Sequence, residues 1–100
     1  MNQFGDLIRA KREENEMILR HLAAQLDIDT AYLSKMERGE RRAKREQVLQ
    51  LIKIFKLDHD STIALWLADQ VFELVANDKQ AMEALKLAQN ELKKRMDNGK

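Results

Sequence analysis

Residues 35–45 hold six bases, Lys35, Arg38, Arg41, Arg42, Lys44 and Arg45, against two acids, Glu37 and Glu40. Cations at that density can neutralise a row of phosphates, and each guanidinium can offer paired N–H donors to one anion. A charge run by itself favours the other reading, a solvated loop with its charges facing water. The segment just before it favours the first chemistry. In "DTAYLSKM", residues 29–36, a helix that turns Leu33 and Met36 inward sets Thr30, Ala31, Ser34 and Lys35 on its outer side. Lys35 can donate to a guanine edge, and Ala31 or the Thr30 methyl can touch a thymine methyl. The Tyr32 hydroxyl suits a phosphate.

Those side chains act only if short helices position them. Phe4, Leu7 and Ile8 mark a first helix with Asn2 as N-cap, ending near Asn15. Leu19, Leu22, Ala23 and Leu26 give a second helix of only two turns. Asp27-Ile28-Asp29 interrupts the pattern, Asp29 is a good N-cap for a third helix, and Gly39 suits its C′ position. A fourth helix buries Val48, Leu51, Ile52 and Phe55. Two short helices joined by a tight turn form a helix-turn-helix, whose second helix can enter a major groove about 12 Å wide. The basic segment after it would then lie along the sugar-phosphate backbone, where contacts set position rather than sequence.

The bulk composition is that of an ordinary all-helical soluble protein. The 100 residues are 44% hydrophobic and 35% charged, with no proline, three glycines and no cysteine, which predicts one all-α domain. The net charge of +1 conceals an uneven distribution, because residues 58–78 hold five acids and no base. Without cysteine there is neither a disulfide framework nor a thiolate metal site. No phosphate-binding glycine loop or His-Glu-x-x-His occurs, and Ser34 has no adjacent base. His21 on the second helix, His59 in a capping segment and the pair Glu13-Glu14 read as solvated side chains. The expectation is therefore a binding protein rather than an enzyme, with no cofactor and no metal. No apolar run reaches membrane-spanning length, and "MNQFGDLIRAKREE" lacks the apolar block of a signal peptide, so the expected location is cytoplasmic, on the nucleoid through DNA.

Across residues 4–57, "FGDLIRAKREEN…LAAQLDIDTAYLSKMERGERRAKREQVLQLIKIFKL" resembles the Cro/phage-repressor (Xre) class of helix-turn-helix regulators. Its most specific parts are "LAAQLDIDTAYLSKMERGER", Arg12 and "LIKIFKL". The resemblance implies a lambda-repressor-like, five-helix-type domain with a C-terminal helical extension and a recognition helix at 30–38. It also implies a buried ion pair between Arg12 and Glu37, and phosphate contacts from the loop Arg38, Arg41, Arg42, Lys44 and Arg45. Three positions depart from the family's usual pattern. Leu19 stands where a polar phosphate-binding residue opens the second helix, with Arg20 beside it to replace that contact. Asp27 stands where the turn usually has glycine, and the basic loop lacks a proline.

Residues 58–100 form an extension that looks, more loosely, like those of small regulators associated with restriction-modification or DNA methyltransferase genes. "TIALWLADQVFELVA" is apolar over much of its circumference, which calls for neighbours on more than one side. Asn77 with Gln80 resembles a capping box for a last helix through about Met96. The expectation is a homodimer through Ile63, Trp66, Leu67, Val71, Leu85 and Leu92, on double-stranded DNA with a roughly palindromic operator. RNA polymerase is a further expected partner where the regulator activates. The alternative is an antitoxin that binds its toxin through these helices and DNA for autoregulation.

Overall fold

The computed structural model describes residues 1–99 as α1 (Gln3–Glu14), α2 (Leu19–Gln25), α3 (Thr30–Glu37), α4 (Arg45–Phe55), α5 (His59–Val75) and α6 (Ala81–Asn98). No strand occurs among the described residues, and the protein is all-α. The chain divides into two compact units, one from Met1 to Gln70 and one beginning at Val71.

In the first unit the apolar spacing becomes a core. α1 contributes Phe4 and Ile8, α2 contributes Leu22 and Ala23, α3 contributes Leu33 and Met36, and α4 contributes Val48 and Leu51. Each such large side chain stabilises the fold by about 1.5–3 kcal/mol relative to exposure. α3 packs against both α1 and α2. Ile52 and Phe55 are half-buried against the same cluster.

This unit runs past the Leu57 boundary expected from sequence, because α5 supplies Thr62 and Trp66 to its interior. Trp66, expected at a subunit interface, is instead a core residue at 9% exposure. Its indole Nε1 donates to the Ala43 carbonyl at 3.0 Å, which satisfies the one polar group that such a burial strands. Ile63 likewise packs against the core, half-buried. Trp66→Phe leaves the Ala43 carbonyl without its donor and should lower stability by about 1–3 kcal/mol, read from the denaturant midpoint. An unchanged midpoint would mean that water replaces the indole at no cost.

Helix ends follow local chemistry where the sequence provides it. Asp29 Oδ1 accepts from the Tyr32 amide at 2.6 Å, capping α3, and Gly39 takes φ +77° just beyond that helix. Asp58 Oδ2 accepts from the Ser61 amide at 2.9 Å, and that bond holds its carboxyl below the usual range. Asp27 adopts φ +56°, the left-handed conformation for which glycine would be the easier residue.

Two expected caps form differently. Asn2 precedes α1, but its side chain makes no cap; Asp69 of α5 accepts from the amides of Gln3 (3.1 Å) and Phe4 (2.8 Å) instead. In the second unit the Asn77–Gln80 box does not form. Asp78 Oδ1 takes the Gln80 amide at 2.8 Å and closes a turn over 78–81, which delays α6 to Ala81. No residue of α6 is buried.

Candidate nucleic-acid interface

α3 divides cleanly between two environments. Leu33, Met36 and Glu37 are buried, while Thr30, Ala31 and Lys35 are exposed. The turn before it, with Asp27 left-handed and Asp29 capping, sets its start relative to α2, whose Arg20 and His21 are exposed.

Glu37 is the one acid in the core of this region, and Arg12 satisfies it. Arg12 Nε and Nη2 donate to the two carboxylate oxygens at 2.8 and 3.1 Å, and Nη1 donates to the Met17 carbonyl at 2.9 Å. Side-chain exposures of 12% and 5% make this a largely desolvated, bidentate pair joining α1 to α3. Hydrogen bonding to Glu37 raises the guanidinium pKa further above its ordinary value.

The outer groups are ordered among themselves. Arg38 donates to both oxygens of Glu40, at 2.7 and 3.3 Å, and to Ser34 Oγ. The Arg38 bond, and then its charge, hold the Glu40 carboxyl below the usual range. Ser34 is thus half-buried and held by Arg38, unlike its three exposed neighbours on α3. Arg41 lies over the Tyr32 ring, 4.7 Å from its centroid, so Tyr32 meets that cation through its face.

Arg45, expected in the loop, is the first residue of α4 and lies 5.2 Å from the Trp66 ring centroid. The loop therefore ends at Lys44, whose amide donates to Gln47 Oε1 at 2.8 Å. Buried Ala43 is the pin that sequence reading overlooked. A lone apolar residue inside "RRAKR" signals that one side of this segment faces the core, leaving Arg41, Arg42 and Lys44 exposed around it.

The arrangement can present a small-residue helix edge to bases and flanking cations to phosphates. A family profile described as a helix-turn-helix domain matches residues 3–65, more than half of the chain. The chain belongs to the helix-turn-helix domain family. The fold is accordingly an all-α helix-turn-helix fold, with α2 and α3 as its paired helices. No curated protein and no solved structure matches the chain. No helix among the described residues of this helix-turn-helix protein is long and apolar enough to cross a membrane.

Proposed function

We propose that this helix-turn-helix protein is a non-catalytic, sequence-specific transcriptional regulator of the Cro/phage-repressor type, acting as a dimer on a short, roughly palindromic operator in double-stranded DNA. One observation carries the reading: α3 turns Thr30, Ala31 and Lys35 outward beside the exposed Arg41, Arg42 and Lys44. Lys35 and the Thr30–Ala31 edge read bases, Ser34 and Arg38 support that edge, and the basic segment with Arg20 grips phosphates. Arg45 contributes from the first turn of α4. Regulation follows from occupancy, by covering promoter elements or by touching RNA polymerase.

Reading and gripping separate experimentally. Base contacts discriminate by about 1–3 kcal/mol per good pair, whereas each phosphate contact adds about 0.9 to the slope of log affinity against log salt. Lys35→Ala should weaken the selected operator and flatten preference at one position in each half-site. Arg42→Ala should weaken all sequences nearly alike and lower the salt slope by about 2 per dimer. Titrations at several salt concentrations, on operator and scrambled DNA, measure both. If Arg42→Ala alters sequence preference and Lys35→Ala does not, α3 is not the reader.

The exposure of Leu74 (84%), Met82 (77%) and Met96 (71%) supports a protein partner for the second unit. A second copy is the occupant we favour. An antitoxin is the second reading, and it replaces the first if the wild-type chain is monomeric alone and forms a stoichiometric complex with a toxin.

A further inference from the structure

Asn2 and Asp69 lie outside the segment matched by the family profile. Asn2 Nδ2 donates to the carbonyl of Glu37, the last residue of α3, at 2.8 Å. That carbonyl is one of the helix-end acceptors with no partner inside the helix. Two glycines make the approach possible. A Cβ on Gly5 would stand 2.6 Å from the Glu37 carbonyl oxygen, and one on Gly39 would stand 2.8 Å from Asn2 Cγ. Asp69 in turn accepts from the amides of Gln3 and Phe4, the two residues that follow Asn2. Glu37 is therefore held twice, through its carboxylate by Arg12 and through its carbonyl by Asn2.

We propose that Asp69 and Asn2 are positioning residues for the DNA-reading element. The clasp from Asp69 through the first amides of α1 to Asn2 and the Glu37 carbonyl sets the pose of the α3 C-terminus. Through Gly39 it also sets the departure of the basic segment 41–44. The role rests on α3 being the reader, as proposed above. Neither residue belongs to the outward edge of α3 or to the basic segment.

Asp69→Ala and Asn2→Ala in the full chain, with wild type beside them, would be followed by amide hydrogen exchange and by operator titration. The temperature is chosen so that circular dichroism shows every variant folded. Exchange at Arg38, Gly39, Glu40 and Arg41 should accelerate about tenfold, the scale of one lost hydrogen bond, while Leu51 keeps its protection. Operator affinity should fall about tenfold with the salt slope unchanged, because no phosphate contact is removed. Asp69→Asn, which keeps one acceptor oxygen, should recover part of both effects. Unchanged exchange at those four amides overturns the clasp, and accelerated exchange with wild-type affinity overturns its positioning role. Exchange is read without DNA, so a wild type that binds no selected DNA sinks the regulator reading, and this role with it, on a separate measurement.

Discussion

Arg12→Met should destabilise the protein by about 3–5 kcal/mol, because the substitution strands the Glu37 carboxylate in a site that water barely reaches. Native stabilities are typically about 5–15 kcal/mol, so the variant would sit close to unfolding at ordinary temperatures. The same change frees the Met17 carbonyl, which lies between α1 and α2 and loses its only side-chain donor among the described residues. Glu37→Leu leaves Arg12 with the opposite problem, a cation 12% exposed without its carboxylate. The double variant Arg12→Met with Glu37→Leu should recover part of the loss, since two apolar side chains in that space strand no charge. Denaturant unfolding of the three variants and wild type measures all terms. Both single variants unfolding at the wild-type midpoint would show that the pair contributes nothing.

Loss of the proposed dimer should produce the largest change in DNA affinity. Trp66 is the wrong residue to test it, since its removal damages the core, and a cut after Leu57 would discard both Trp66 and Asp69. Val71 and Leu74, one turn apart on α5 and at 44% and 84% exposure, can be charged at little cost to the fold. Val71→Glu with Leu74→Glu should sediment as a monomer at micromolar concentration, where wild type is expected to sediment as the proposed dimer. Two linked half-site contacts gain about 10²–10⁴ over either alone, so operator affinity should fall by that factor with no direct contact removed. A wild-type chain that is monomeric at micromolar concentration, or a monomeric variant with wild-type affinity, would overturn this assignment.

Within residues 3–57 much was legible from local pattern. The 3-4 spacing of Phe4, Ile8, Leu22, Leu33, Met36, Val48 and Leu51 gave helices and inward faces, because burial on a helix repeats every 3.6 residues. Asp29 and Gly39 marked the ends of α3, since a carboxylate three residues before an amide and a left-handed glycine are requirements of a few bonds. The outward set Thr30, Ala31 and Lys35 followed from the same period. The Arg12–Glu37 pair came from family resemblance, as nothing within either helix predicts a partner 25 residues away.

Tertiary structure decided the rest. Trp66 looked like surplus apolar surface because its partner, the Ala43 carbonyl, lies 23 residues earlier in a basic loop. Asp69 read as one more acid of an acidic helix until the fold carried it 65 residues back to the amide of Phe4. With those amides taken by Asp69, the Asn2 side chain makes no cap and donates to the Glu37 carbonyl. Such pairings have no period and no spacing rule. They depend on the angle at which one packed helix meets another, which many side chains set together, so the sequence of either segment alone does not contain them.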